Sequence, residues 1–170
     1  MILQDREVHP GAMGRTGPIM GQRFIHVLNG PNLDLLGVRA PAIYGSATLA
    51  DVEAACLREL EGTDIGLTFR QTNAEHEMVG WLHEARAGAF GIVINPAAFS
   101  YAGYPVLDAL KMCDCPVIEV HISNIHRREE EWRSRSIMTR SVTGIMSGLG
   151  VDGYALAVRH LLRNDRSNAA

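Results

Sequence analysis

Apolar segments of two different periods take turns along this chain of 170 residues, and that alternation limits the folds open to it. FIHVL (24–28) is short and apolar, as a buried strand should be. From Thr48 the period lengthens: Leu49, Val52, Cys56, Leu57 and Leu60 fall on one helical face. Thr48 and Asp51 are spaced as a capping box, with Asp in place of Glu, and Gly62 is a stop. A second strand is predicted over 65–70. Asn73 can then cap a helix that buries Met78, Val79, Leu82 and Ala85 and ends near Gly88. FGIVIN (90–95) is apolar throughout its middle, as suits a strand covered on both faces. A helix over 104–113, a strand over 116–121, a short strand around 144–146 and an amphipathic helix over 151–163 complete the pattern. Strand and helix alternate five times, which predicts a doubly wound α/β domain with a parallel sheet. Residues 1–22 hold Gly, Pro and polar residues without period and are expected to form a loosely held tail. One domain is expected over 23–165, with 166–170 as a C-terminal tail.

The bulk numbers narrow the partners. Net charge is −3, so electrostatics give nucleic-acid binding no support. No apolar run approaches the ~20 residues that span a bilayer. The opening residues lack the basic start and apolar stretch of a secretory signal. Three cysteines form no paired framework, which favours a reducing compartment, and a cytoplasmic protein is expected.

In doubly wound folds ligands bind beyond the carboxyl ends of the strands, at the switch point of the strand order. Three strand ends here carry unusual residues. The first strand runs into NGPNLDLLGVRAPAIYG (29–45), a long Asn/Gly/Pro-rich loop with Arg39 and Tyr44 five residues apart. The third ends at Asn95-Pro96, and the fourth at His121.

Each constellation has a plain reading beside its chemical one. A phenol, with its usual pKa near ~10, is a poor base unless a cation holds it ionised, and Arg39 could do that for Tyr44. The plain alternative is a solvated arginine and a tyrosine packed under the loop. Alternation places Glu119 and His121 on one side of their strand. A carboxylate there can orient the ring and favour the protonated form a general acid needs. The alternative is a neutral histidine satisfying loop backbone. Backbone N–H groups at Ile122 and Ser123 could bind a carboxylate. RREEEWRSR (127–135) reads as a solvated helical face, although Trp132 hints at a lid over something apolar. GLGVDG (148–153) has the dinucleotide spacing, but one helix follows and the chain ends. Glycines easing the turn into that helix are the better reading. Cys113-Asp114-Cys115 has no matching Cys or His pair at zinc spacing, so no metal is expected.

In order, NGPNLDLLGVRAPAIYG, INPAAF (94–99) and IEVHISNIH (118–126) resemble the type II 3-dehydroquinate dehydratase family, over about Phe24 to Arg163. The resemblance implies a flavodoxin-like fold, a five-stranded parallel sheet in three α/β/α layers. It implies an anti elimination of water from 3-dehydroquinate through an enolate, in shikimate biosynthesis or quinate breakdown, with no metal or organic cofactor. By the same resemblance Tyr44 is the base, kept ionised by Arg39, and Asn32 holds a water against the enolate oxygen. His121 is the acid, oriented by Glu119, with Asn95 near the departing hydroxyl. Ile122 and Ser123 hold the carboxylate by their backbone. Arg133 on the lid contacts ring hydroxyls. Asp108 reaches a neighbouring subunit's site, within a homo-oligomer, a dodecamer built from trimers.

The chain also departs from the family's pattern. Ser100-Tyr101-Ala102-Gly103 stands where Thr-His-Thr-Ser is usual, so Tyr101 takes the place of a histidine that contacts substrate hydroxyls. Ala97 replaces the glycine after Asn-Pro, and Ala40 an acidic residue. The lid is one residue longer, which leaves Arg127 and Arg128 both open as its first arginine. A related lyase acting on a different hydroxylated cyclic acid, and a non-catalytic ligand-binding relative, are the alternatives.

Overall fold

The computed structural model describes residues 6–8 (as backbone), 23–38 and 46–164. Among these residues six strands form one sheet: β1 (Arg6–Val8), β2 (Phe24–Asn29), β3 (Gly66–Gln71), β4 (Gly91–Asn95), β5 (Val117–His121) and β6 (Gly144–Ser147). Their order across the sheet is β1-β3-β2-β4-β5-β6. The last five are parallel, in the flavodoxin-like arrangement that the alternation and the resemblance predict. The sixth was not foreseen: Arg6–Val8 pairs antiparallel along the outer edge of β3, within the segment expected as a tail.

Among the described residues five helices cover the two faces: α1 (Leu49–Glu59), α2 (Glu75–Arg86), α3 (Phe99–Ala102), α4 (Tyr104–Leu110) and α5 (Asp152–Arg163). α1 and α5 bury Val52, Cys56, Tyr154, Val158 and Leu161 against Ile25, Val27, Ile118 and Val120. α2 and α4 bury Met78, Leu82, Val106 and Leu110 against Leu28, Ile92, Ile94 and Val117. β2, β4 and β5 thus send side chains into two separate cores, which is why these strands carry apolar residues on both faces. Among the described residues no helix is long and apolar enough to cross a membrane.

The caps show where local chemistry wins and where it loses. α1 starts on the expected capping box, with the Thr48 N–H donating to Asp51 Oδ2 at 2.8 Å and the Asp51 N–H to Thr48 Oγ1 at 3.2 Å. Asn73, expected as the cap of α2, does not cap it: the position falls to Ala74, which makes no side-chain cap. Thr72 Oγ1 instead accepts from the Ala74 N–H at 2.8 Å. Asn73 is spent on the loop after β2, described below. The helix over 104–113 ends at Leu110, and the short α3 precedes it. The 127–135 stretch is not helical throughout but folds into 3-10 turns at Ile125–Arg127 and Glu131–Arg133.

The switch point lies between β2 and β4. From β2 the chain goes to β3 on one side, then crosses to β4 on the other. Here the two strand ends stay close enough that the Gly30 N–H donates to the Asn95 carbonyl at 2.8 Å. A Cβ on Gly30 would stand 2.4 Å from the Pro96 carbonyl oxygen, so only glycine fits.

Candidate active site

Past the switch point a pocket of about 550 Å³ opens, a size suited to a small molecule. Its floor is the β4 end, with Asn95 and Ala97. One wall is the loop after β2, with Pro31, Asn32 and Leu33. Tyr101 of α3 and the β5 end (His121, Ile122, Ser123) form the others, and Arg128, Trp132 and Arg133 lie above. Among the described lining residues none is acidic, while two are arginines and one is histidine. That balance suits an anionic ligand.

The histidine is held from behind. Glu119 is fully buried, and its Oε1 lies 2.8 Å from His121 Nε2. Thr139, in a 3-10 turn (Met138–Ser141), donates to Glu119 Oε2 at 2.7 Å. Burial pushes the Glu119 carboxyl up, but hydrogen bonds from His121, Ser136 and Thr139 outweigh that and hold it below its ordinary range. It is therefore a carboxylate, and it accepts the His121 Nε2 proton. Nδ1 is the ring nitrogen left over, on a side chain that lines the pocket.

The turn after β5 is fixed by the glycines of 148–153. Gly148 N–H donates to the His121 carbonyl at 3.1 Å and Gly150 N–H to the Ile122 carbonyl at 3.0 Å. Gly148 sits at φ +87° with Asn124 Cβ 2.8 Å from where its own Cβ would be. These glycines serve the fold of the turn and the entry into α5.

Asn32 takes a left-handed conformation, φ 65°, which asparagine tolerates. Its N–H donates to Asn73 Oδ1 at 2.7 Å, and Gln71 Nε2 reaches the Gly30 carbonyl and Asn73 Oδ1, both at 3.3 Å. The end of β3 thus braces the loop after β2. Ala97 also has a positive φ, 47°.

Tyr101 is the joint of the upper wall. Its hydroxyl accepts from Arg128 Nη1, and its ring meets Trp132 edge-on, centroids 5.1 Å apart at 80°. Arg128 Nη2 donates to Ser123 Oγ at 3.1 Å, so one guanidinium links α3, the turn after β5 and the lid. Arg133 pairs with Glu130 at 3.3 Å.

Of the predicted site residues, Asn32, Asn95, Tyr101, His121, Ile122, Ser123 and Arg133 line this one pocket. Glu119 stands behind His121. Asp108 does not come to it: it lies exposed on α4, away from the pocket of its own chain. Arg39 and Tyr44 lie outside the described residues. Sequence reasoning left Arg128 ambiguous and missed Thr139 and Asn73 as supports. The signal for Arg128 came from the resemblance, through the lid's first arginine. Elsewhere burial pushes the Cys115 thiol up to about 11 and that of Cys56 up to about 12, away from thiolate chemistry. Among the described residues no three His, Cys, Asp or Glu side chains gather as a metal site would need.

A flavodoxin-like sheet with a carboxylate-backed imidazole in a pocket whose described lining is cationic, at its switch point, defines a class: an α/β enzyme for proton-transfer chemistry on a small anion. The sequence model described as Dehydroquinase class II matches residues 23–162, and the chain belongs to that family. It is 53% identical over 135 residues, covering 79% of this chain and 90% of the relative, to a 3-dehydroquinate dehydratase of Methylobacterium radiotolerans. It is 52% identical over 136 residues, 80% of this chain and 92% of the relative, to 3-dehydroquinate dehydratase 2 of Agrobacterium fabrum. The crystal structure of a type II dehydroquinase from Propionibacterium acnes superposes with a TM-score of 0.76 at 45% identity, covering 84% of this chain and 98% of that one.

Proposed function

We propose that this protein is a 3-dehydroquinate dehydratase, a hydro-lyase that removes water from 3-dehydroquinate to give 3-dehydroshikimate. The observation that carries the reading beyond kinship is the Glu119–His121 pair, 2.8 Å apart, at the rim of a pocket whose described lining is cationic and free of acids.

The chemistry sets two demands. The C2 proton, alpha to a ketone, is weakly acidic, so a strong base and a stabilised enolate are needed. Hydroxide leaves poorly, so an acid must stand on the opposite side of the ring. In this reading Tyr44, held ionised by Arg39, takes the C2 proton. Asn32 holds a water against the enolate oxygen. His121 gives its proton to the C1 hydroxyl as the C1–O bond breaks, and Glu119 stabilises the imidazolium that precedes that transfer. Asn95 donates near the same oxygen. The N–H groups of Ile122 and Ser123 hold the carboxylate, and Arg133 and Tyr101 contact ring hydroxyls. Asp108, exposed on α4, serves a neighbouring subunit's pocket within a trimer-based dodecamer. The reaction uses no metal or organic cofactor and takes place in the cytoplasm. Residues 23–165 form the catalytic unit, to whose sheet β1 adds an edge strand.

The test is a steady-state assay with 3-dehydroquinate, following the ultraviolet absorbance of the conjugated enone. Wild type is expected to turn over without added metal or nucleotide. Tyr44→Phe is expected to lose activity severely while keeping the wild-type fold by circular dichroism. Unchanged turnover in Tyr44→Phe removes Tyr44 from the base role, and a silent wild type removes the proposed activity.

A further inference from the structure

We infer that Tyr154 is a positioning residue for the proposed dehydration, fixing which end of the Asn95 amide meets the reacting oxygen. The inference rests on the functional reading above.

Tyr154 is fully buried on α5 and does not line the pocket, yet its hydroxyl joins two asparagines at neighbouring strand ends. The relay begins at Asn29. Asn29 Nδ2 donates to the Arg70 carbonyl at 3.1 Å, which turns the oxygen end of that amide toward Tyr154. Tyr154 Oη lies 2.8 Å from Asn29 Oδ1. Two oxygens that close need a proton between them, and only the phenol has one. Having spent it, the hydroxyl can only accept on its other side. There Asn95 Nδ2 stands 2.8 Å away and donates. At the opposite end of the same amide, Asn95 Oδ1 accepts from the Ala97 N–H at 3.2 Å. Two independent constraints therefore give one orientation. Burial holds the Tyr154 hydroxyl well above the ordinary phenol range, so it stays protonated and the direction of the relay is fixed.

The consequence reaches the pocket. With one N–H held by Tyr154 and the oxygen turned to the Ala97 N–H, the donor Asn95 has left to offer a ligand is its second N–H. A donor is what an oxygen gaining negative charge needs, and a flipped amide would present a repelling carbonyl instead. Tyr154 acts through Asn95 and touches no substrate itself. Asn29 and Asn95 pair in register on β2 and β4, so the relay spans the switch point.

The experiment is a double-mutant cycle in the dehydroquinate assay with wild type, Tyr154→Phe, Asn95→Ala and the double variant. Tyr154→Phe is expected to lower kcat about tenfold with KM changed less than about twofold. In the Asn95→Ala background it is expected to cost nothing more, because its effect passes through that amide. Wild-type kcat in Tyr154→Phe overturns the inference. So does a tenfold loss that persists in the Asn95→Ala background, which marks a merely structural role. Should Tyr154→Phe fail to fold, Asn29→Ala breaks the relay one step earlier and frees the phenol to donate toward Asn95. The same kcat loss is expected there, and wild-type kcat overturns the inference. A wild type silent toward dehydroquinate refutes the functional reading and this inference with it. An active wild type with an equally active Tyr154→Phe refutes the inference alone.

Discussion

Glu119→Gln removes one charge from behind the proposed acid while keeping the volume of a fully buried side chain. The carboxylate accepts from His121 at 2.8 Å and from Thr139 at 2.7 Å. A hydroxyl can accept as well as donate, so the amide nitrogen can turn to Thr139 and leave the amide oxygen on His121. The ring then keeps its tautomer and loses only the charge opposite it. A hydrogen bond to a charged group is worth ~1.5–3 kcal/mol and a neutral one ~0.5–1.5 kcal/mol, a mid-range difference of about 1.2 kcal/mol. That difference belongs to the imidazolium, the form that hands over the proton, so kcat is expected to fall about tenfold. KM is expected to stay within about twofold, since Glu119 does not line the pocket. Initial rates against dehydroquinate concentration separate the two constants. A kcat equal to wild type, or a raised KM at unchanged kcat, refutes the role of Glu119 as the group that sustains the acid.

Other changes test the frame. Gly30→Ala places a methyl 2.4 Å from the Pro96 carbonyl oxygen, a contact only backbone movement relieves. It is expected to cost ~3 kcal/mol or more of stability, read from the chemical-denaturation midpoint. Ala97→Gly removes the burden of a side chain at φ 47° and, after the larger entropy of an unfolded glycine, is expected to stabilise by about 0.5–1 kcal/mol in thermal unfolding. His26, on β2, is held down at about 4, first by burial and then by the Arg70 charge, and its Nδ1 has no hydrogen-bond partner. The folded state thus binds fewer protons than the unfolded state between that value and the ordinary 6.5. Its neutral form stabilises the fold above that window, and up to about 3 kcal/mol is lost as pH falls through it. His26→Leu should flatten the pH dependence of stability between about 4 and 6.5, and an unchanged slope by urea denaturation assigns it elsewhere.

The parallel order and the two-faced core follow from local patterns, because a strand buried on both sides and a helix buried on one leave different periods in the chain. The Glu119–His121 pair was legible for the same reason: two positions apart on a strand means one side. What escaped are partners that meet only after the sheet closes. Asn73 has the right spacing to cap α2, but it is taken by the Asn32 N–H, a residue 41 positions away. Tyr154 reads as one more core aromatic, and its meeting with Asn29 spans 125 positions. The 127–135 stretch carries the charges of a helical surface, yet short turns form there, since Arg128 is drawn to Tyr101 and Ser123. For Asn73 and the 127–135 stretch, tertiary hydrogen bonds stand where a local preference of a few tenths of a kcal/mol to about one pointed elsewhere. β1 escaped because its pairing is recorded on β3 and not in its own composition.

Tyr101 shows how a departure from the family's usual histidine can be absorbed. A phenol offers one proton and two lone pairs. By accepting from Arg128, the Tyr101 oxygen uses a lone pair and keeps its proton for the pocket. The substitution therefore preserves a donor on that wall, and Arg128 directs it. The same guanidinium donates to Ser123 Oγ, beside the backbone proposed to hold the substrate carboxylate, while the Tyr101 ring carries Trp132 on its edge. A change in any one of these groups is thus felt by the other two, and that coupling ties the wall to the lid. In the proposed reading the Tyr101 O–H and the Arg128 guanidinium share the ring hydroxyls between them, since both line the pocket and a hydrogen bond joins them.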